Sequence, residues 1–245
     1  MKPKVAFFDF ASCEGDQLQI VNLEETLLDL LGQVEIVSFR EAMKEHSDAY
    51  DIAFIEGSIT RASDEERLKK IRGNAKLLVA LGSCAAIGGI NAMKNFQDPE
   101  ELRRYVYGKD AKLFETYPAR PVGAVVKVDA AIPGCPIDRK EFLQVVKALL
   151  VGKKPEIPNY PICVECKAAE NVCVFEKGLF CVGPVTRAGC GSACVNQGSI
   201  CWGCRGFVND PNADAEKEVL AKYGLVALDV VNKFRLYTGC SELSK

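Results

Sequence analysis

The sequence predicts an α/β fold, a doubly wound parallel sheet, followed by a smaller cysteine-rich domain. Three observations support this prediction. Apolar strand-like runs alternate with amphipathic helices over about the first 150 residues. Three prolines then fall within the segment 152–161, as expected of a linker, and eight of the twelve cysteines lie between 163 and 204. We therefore place one domain at 1–152 and a second at 153–245.

The predicted elements of the first domain alternate along the chain. Continuous apolar runs predict buried parallel strands at 4–10, 34–39, 51–57, 75–83 and within 122–134. Apolar residues three and four apart predict a helix over 17–31, stopped by Gly32. Ser63 and Glu66 form a capping-box pattern that opens a second helix, and a third covers 139–152, with Phe142, Val145 and Leu149 on one face. Sheets of this kind bind ligands at the carboxyl ends of their strands.

Charge and hydropathy exclude several function classes. The formal net charge of −2 argues against binding to nucleic acid or an anionic membrane surface, which requires a basic patch. No apolar run reaches the roughly 18 residues that a membrane-spanning helix needs. The first residues are predicted to form a buried strand rather than a signal peptide, because Asp9 interrupts a short apolar stretch. We therefore expect a cytoplasmic protein.

The twelve cysteines are the unusual feature of the composition. A disulfide framework is typical of small secreted chains, whereas metal or iron–sulfur ligation is the better use of many thiols in a reducing compartment. The one histidine, His46, lies in a polar stretch and is interpreted as a surface residue. Many cysteines and few histidines favour iron–sulfur clusters or structural zinc over copper or non-haem iron.

The cysteines divide into two regions. Eight thiols after the linker make two sets of four, the number that a [4Fe–4S] cluster takes, although two zinc sites would also need eight. This segment has few periodic apolar runs, so we expect bound clusters to supply much of its folding free energy. Cys13, Cys84 and Cys135 each follow a predicted strand, and we expect them to converge at the carboxyl edge of the sheet. The alternative is that they are buried free cysteines.

Several short motifs carry a resemblance to a known family. The segments are SCEGDQLQ (12–19), IEGSI (55–59), GSCAAIGG (82–89), PGCPID (133–138), CVECKAAENVC (163–173) and CVGPVTRAGC (181–190). Together they resemble the small, electron-transferring subunit of soluble cytoplasmic [NiFe]-hydrogenases, over nearly the whole chain. The resemblance implies a flavodoxin-like first domain with a proximal cluster, and a small iron–sulfur domain with medial and distal clusters.

The resemblance also implies three ligand sets, and hence three [4Fe–4S] clusters. The proximal set is Cys13, Asp16, Cys84 and Cys135; the medial set is Cys190, Cys194, Cys201 and Cys204; the distal set is Cys163, Cys166, Cys173 and Cys181. The eight thiols of the last two sets could also cross over between clusters, as in two-cluster ferredoxins. Cys240 is left over and is interpreted as a spare thiol. Trp202, between two ligands, either packs the small domain or shields a cluster from water; we favour packing.

Asp16 departs from the family pattern, because relatives have a cysteine at its position. Our hypothesis is that Asp16 ligates the proximal cluster as a harder, carboxylate ligand. In the alternative, Asp16 only caps a helix beginning at Gln17. The cluster would then lose an iron or recruit Glu14 or Cys240. We also expect Glu14 and Glu56 near this cluster, with Glu14 a candidate for proton handling. The alternatives are a turn carboxylate for Glu14 and a solvated strand end for Glu56.

The resemblance implies a relay rather than a catalytic centre. Hydrogen is activated at a nickel–iron site whose ligands belong to the [NiFe] large subunit, so we expect no catalytic residue in this chain. Electrons would pass from it to flavin- and iron–sulfur-bearing diaphorase-type subunits that serve NAD(P), ferredoxin or both. A coenzyme F420 or heterodisulfide-reductase partner is the alternative acceptor. Two rival functions are a zinc-stabilised interaction module and the small subunit of a quinone-reducing complex, which normally lacks the eight-cysteine segment.

Overall fold

The computed structural model describes residues 2–242 and contains a five-stranded parallel sheet. The strands are β1 (Lys4–Asp9), β2 (Glu35–Phe39), β3 (Ile52–Glu56), β4 (Leu77–Leu81) and β5 (Ala130–Ile132). Their order across the sheet is β2-β1-β3-β4-β5, with every neighbouring pair parallel. This is the flavodoxin-like doubly wound order, so the predicted fold class is confirmed.

Helices connect the strands, and further helices lie in the second half of the chain. Those in the first half are α1 (Gly15–Val21), α2 (Glu25–Gln33), α3 (Ala62–Asn74), α4 (Gly82–Ile87), α5 (Pro99–Tyr107) and α6 (Arg139–Leu150). Those in the second half are α7 (Cys163–Ala168), α8 (Ala193–Asn196), α9 (Ala213–Lys222) and α10 (Ala227–Thr238). Short 3₁₀ segments cover Gly89–Phe96, Gly108–Leu113, Val122–Ala124, Val174–Lys177 and Gly183–Val185.

The sheet has an apolar layer on each face. Because successive side chains of a strand point to opposite faces, Phe7 and Phe54 pack into one layer while Ala53 and Ile55 pack into the other. Helices α1, α2 and α6 cover the first face, and α3 and α4 cover the second. The predicted apolar face of α6 lies in the first layer, as expected from its three- and four-residue spacing.

Two local predictions are wrong. The helix predicted over 17–31 is two helices, α1 and α2, because the backbone turns between them: Glu24 has φ 54° and Leu23 is buried in the core. The break at Leu23 and Glu24 therefore interrupts the helix although the apolar spacing continues through it. Gly32 does not stop the second helix either, since α2 continues to Gln33 and ends where Val34 becomes extended.

The capping box predicted for the next helix is also absent. Helix α3 begins at Ala62, and the residue before it makes no side-chain capping bond. Asp64 stabilises the chain at the start of this helix instead. Its buried carboxylate accepts a hydrogen bond from the Thr60 N–H at 3.3 Å and from the Arg61 guanidinium at 3.0 Å. An ionised side chain inside the first turn thus satisfies a backbone donor before the helix.

The second half of the chain has two small apolar clusters instead of a sheet. One contains Val182, Val185, Leu220, Val230 and Phe234, and the other contains Val174, Cys181, Val195 and Ile200. Two helices, α9 and α10, separated by a short turn, follow the cysteine segment. Helix α10 packs back against the segment 89–96 of the first half. The division at residue 152 stays a prediction.

Candidate iron–sulfur sites

The carboxyl edge of the sheet brings together the three cysteines of the proximal set. Cys13 follows β1, Cys84 lies in α4 immediately after β4, and Cys135 follows β5. The Ser83 N–H donates to the Gly134 carbonyl at 2.7 Å, which joins the second and third of these loops. Burial, followed by the charges of Cys135, Asp16 and Cys13, raises the pKa of the Cys84 thiol to about 12. These side chains therefore lie within electrostatic reach of one another.

Two glycines leave room for this set. Gly82 has φ +79°, and a Cβ there would lie 1.7 Å from the Oδ2 atom of Asp16. Gly89 has φ +55°, and a Cβ there would lie 2.9 Å from the Sγ atom of Cys84. The positive φ angles and the close approach both require glycine. The backbone at the sheet edge is therefore shaped around the Asp16 carboxylate and the Cys84 thiol.

Asp16 points into this edge and does not cap the helix. Helix α1 begins at Gly15, and no side chain caps its first turn. The Oδ1 atom of Asp16 instead accepts a hydrogen bond from the Ile137 N–H, two residues beyond Cys135, at 2.8 Å. Asp16 is only 7% exposed. Burial, followed by the Glu56 charge, raises its pKa to about 7. The capping alternative is thus wrong.

Glu56 lies directly behind Asp16 and is 1% exposed, so the interpretation of a solvated strand end is wrong. Its carboxylate accepts from the Asp16 N–H at 3.3 Å, and from the Gln17 N–H and side-chain Nε2, both at 3.1 Å. Glu56 therefore satisfies free N–H groups at the start of α1.

Glu14 has a different environment from Glu56. It is partly exposed and takes a left-handed conformation with φ 62°. Burial, Glu41 and Asp9 raise its pKa. These carboxylates are its main charged neighbours, with Arg40 acting in the opposite direction.

The four thiols of the distal set line one apolar cavity of about 80 Å³, together with Ile162, Val174, Phe175 and Val195. A Cβ at Gly183 would lie 3.2 Å from the Sγ atom of Cys181 and 3.6 Å from that of Cys163. Burial, followed by the charges of Cys181, Cys166 and Cys173, raises the pKa of Cys163 to about 12. Cys201, predicted in the medial set, also reaches this cavity.

The medial set lies between the other two. Burial, followed by the charges of Cys190, Cys135 and Cys194, raises the pKa of Cys204 to about 12. Burial also raises the pKa of Cys201, followed by the charge of Cys181. Cys204 therefore faces Cys135 of the proximal set, whereas Cys201 faces Cys181 of the distal set. Members of the predicted medial set therefore approach both of the other predicted sets.

The remaining predicted residues lie outside these groups. His46 is exposed, as expected. The Cys240 thiol donates to the Ala119 carbonyl at 3.2 Å and packs against Gly88. Trp202 is 38% exposed and packs edge-on against Phe180, with the Lys233 ammonium over both rings. Among residues 2–242, no three His, Cys, Asp or Glu side chains converge tightly enough to bind a single metal ion.

Sequence reasoning missed the polar residues that support these cysteines. Arg205 follows Cys204 directly, is fully buried, and forms an ion pair with Glu141 of α6. The Tyr237 hydroxyl donates a hydrogen bond to the Cys135 thiol. The one available signal was the position of Arg205 beside a predicted ligand, because nothing in the sequence marks Glu141 as buried or Tyr237 as a partner of Cys135.

Comparison with known proteins agrees with this architecture. Residues 13–149 match the family model described as NADH ubiquinone oxidoreductase, 20 Kd subunit. The sulfhydrogenase 2 subunit delta of Pyrococcus furiosus is 36% identical over 96% of this chain and 98% of its own length. A chain of the F420-non-reducing hydrogenase vhu of Methanocaldococcus jannaschii is 34% identical over 95% of this chain and 92% of its own length. The chain belongs to the small-subunit family of [NiFe]-hydrogenases. A solved NAD+-reducing [NiFe]-hydrogenase has the same fold with a TM-score of 0.59 and 29% identity, covering 64% of this chain and 96% of that one.

Membership of the hydrogenase small-subunit family sets the coarse function. The chain is an electron-transfer subunit of an oxidoreductase complex, and its family carries iron–sulfur clusters and works with a large subunit. The match to the family model ends at residue 149, before the eight-cysteine segment. The Pyrococcus and Methanocaldococcus relatives match almost the whole chain. Across the described helices, none is long and apolar enough to cross a membrane.

Proposed function

We propose that this chain carries three [4Fe–4S] clusters and relays electrons between a [NiFe] large subunit and a flavin- and iron–sulfur-bearing partner. The observation that carries the proposal is the spatial order of the three cysteine sets. The Cys204 carbonyl accepts a hydrogen bond from the Ser83 hydroxyl, next to Cys84, and Cys201 lines the cavity of the distal set, which supports a medial set between the other two. When bound, the clusters supply one-electron acceptor sites at successive positions along this order.

The residues present fit clusters of this kind. Cys13, Asp16, Cys84 and Cys135 would hold the proximal cluster, Cys190, Cys194, Cys201 and Cys204 the medial one, and Cys163, Cys166, Cys173 and Cys181 the distal one. Four thiols spread round one apolar cavity suit a four-iron cluster. A single zinc ion would need sulfur atoms only about 3.8 Å apart, given Zn–S bonds near 2.3 Å.

Asp16 is proposed as the fourth proximal ligand. Its buried carboxylate lies among the three thiols, and the hydrogen bond from the Ile137 N–H engages Oδ1 while Oδ2 faces Gly82. A carboxylate is a harder ligand than a thiolate and favours ferric iron. Glu14 is retained as a proton-exchange candidate because its neighbouring carboxylates raise its pKa.

The acceptor is proposed to be NAD(P), ferredoxin or both, reached through diaphorase-type subunits in the cytoplasm. The similarity to a NAD+-reducing hydrogenase supports this choice, although that chain covers only 64% of ours. The added second domain, 153–245, would extend the relay toward the partner. The relative from an F420-non-reducing hydrogenase covers nearly the whole chain, which favours an acceptor other than coenzyme F420.

The relay can be tested by separating hydrogen chemistry from electron delivery. In the complex purified with its large subunit, Cys173→Ser should abolish H2-dependent reduction of the soluble acceptor. Exchange between H2 and D2O should persist, because it requires only the nickel–iron site. Cys240→Ser is the matched control and should leave both activities unchanged. If Cys173→Ser leaves acceptor reduction intact, the distal site is not on the electron path.

A further inference from the structure

The most deeply buried cation in the described chain, Arg205, lies directly after Cys204. Its Nη2 donates to Oε1 of Glu141 at 2.6 Å, and its Nη1 donates to Oε2 at 2.9 Å. The two side chains are only 1% and 6% exposed. A buried ion pair of this kind is weak evidence for stability, because removing both charges from water costs about as much as their attraction returns. The role of the pair therefore follows from the groups that it contacts rather than from stability.

The remaining donors of Arg205 join the loops of two ligand sets. Its Nε donates to the Ala188 carbonyl at 2.7 Å, and its Nη1 donates to the Pro133 carbonyl at 2.6 Å. Ala188 lies two residues before Cys190 of the medial set, and Pro133 lies two residues before Cys135 of the proximal set. One guanidinium thus holds the two sites together.

The packing around Arg205 is tight and has a second link beside it. A Cβ at Gly189 would lie 2.2 Å from Nη2 of Arg205, so the guanidinium has no alternative position on that side. The Ser83 hydroxyl, next to Cys84, donates to the Cys204 carbonyl. Residues adjacent to ligands therefore connect the proximal and medial sites at two points.

Arg205 also acts on the medial site through its charge. Its side chain is only 1% exposed, follows Cys204 directly in the chain and donates to the Ala188 carbonyl, two residues before Cys190, so its positive charge lies beside the medial set with little screening by water. The bidentate Glu141 carboxylate offsets this cation. A cluster becomes more negative on reduction, so the balance between the two side chains bears on its potential.

We propose that the buried Arg205–Glu141 pair is a positioning element that fixes the medial site against the proximal site and sets the medial reduction potential. The inference rests on the proposed assignment of the three clusters. Removing the Glu141 charge would leave Arg205 unbalanced and favour the reduced cluster. Removing the Arg205 charge would have the opposite effect.

The test is a redox titration of the intact complex, followed by electron paramagnetic resonance. Glu141→Gln should raise the medial reduction potential by at least about 59 mV, which corresponds to a tenfold change in the one-electron equilibrium constant. Arg205→Gln should lower it, and the double variant should return toward the wild type. Asp129→Asn is the control, because it breaks the partly buried 2.5 Å pair with Arg72 at the opposite end of β5. It should leave the potential unchanged.

The outcomes separate this inference from the proposed function. If the wild-type complex lacks a medial signal, the cluster assignment fails. If the wild type shows three clusters but both single variants shift the medial potential in the same direction, or not at all, the inference is overturned. Should Arg205→Gln not accumulate, Arg205→Lys replaces it. Arg205→Lys keeps the charge and should hold the medial potential near the wild-type value, whereas Glu141→Gln should raise it. An equal rise in Arg205→Lys and Glu141→Gln refutes the charge balance.

Discussion

Replacing Asp16 with asparagine tests the least usual ligand in the proposed sites. The asparagine Oδ1 can still accept the hydrogen bond from the Ile137 N–H, which is 2.8 Å long in the wild type, so the local fold should be kept. A neutral amide is a much poorer iron ligand than a carboxylate. We therefore expect the proximal site to lose one iron, so that the chain carries about 11 irons instead of about 12.

The structure gives the magnitude behind this expectation. The pKa of Asp16 rises from 3.8 to about 7 because of burial and the neighbouring Glu56. That rise corresponds to about 4 kcal/mol, the cost of holding the carboxylate ionised without a bound cation. A raised carboxyl pKa stabilises the folded chain below about pH 4, and this contribution is lost as the pH rises toward about 7. Iron-free wild-type chain should thus lose up to this free energy relative to Asp16→Asn over that range.

The assay combines iron analysis, Mössbauer spectroscopy and electron paramagnetic resonance of the intact complex. Asp16→Cys should restore four irons with an altered proximal signal. Asp16→Ala should lose the iron and also leave the buried Ile137 N–H without its acceptor, at a cost of about 1–3 kcal/mol. The reasoning is refuted if the alanine or asparagine variant keeps the wild-type proximal signal and iron content.

Three further predictions concern Gly82, Glu216 and Cys240. Gly82→Ala should abolish the proximal signal while the other two clusters remain, because its Cβ would displace the Asp16 carboxylate. Gly73→Ala, which meets nothing within 4 Å inside α3, should instead stabilise the chain by about 0.5–1 kcal/mol in denaturant unfolding; an equal cluster loss in both variants would contradict the steric argument. Glu216 is 3% exposed, its Oε1 has no partner among the described residues, and burial raises its pKa to about 7. Glu216→Gln should therefore gain stability over the wild type as the pH rises from about 4.5 to above 7, by up to about 3 kcal/mol, and a pH-independent difference would refute this. Cys240→Ser should leave the iron content unchanged, because that thiol donates a hydrogen bond to the Ala119 carbonyl and lies apart from the ligand sets. Loss of iron in this variant would instead identify Cys240 as a ligand.

Much of the first half of the fold could be predicted because its signals are local. Continuous apolar runs marked the buried strands, and the spacing of Phe142, Val145 and Leu149 marked the buried face of α6. The turn at Leu23 could not be predicted, because the apolar spacing continues through it without interruption.

The candidate sites divide in the same way. Cys13, Cys84 and Cys135 could be predicted to meet, since strand ends share one edge of a parallel sheet. The roles of Glu56 and Glu141 could not. A carboxylate has the same sequence signal whether it is solvated or buried, and in both cases its burial comes from partners about 40 to 60 residues away along the chain, as the hydrogen bonds of Gln17 and Arg205 show.

The central claim is that the chain carries three four-iron clusters, and metal and sulfide analysis of the purified complex tests it most directly. After subtraction of the metal and sulfide content of the separately analysed large subunit and iron–sulfur-bearing partner subunits, we predict about twelve irons, about twelve inorganic sulfides and no zinc per chain. Three reducible signals should appear in the redox titration. About two zinc ions with little iron, or only four irons confined to the proximal site, would contradict the account.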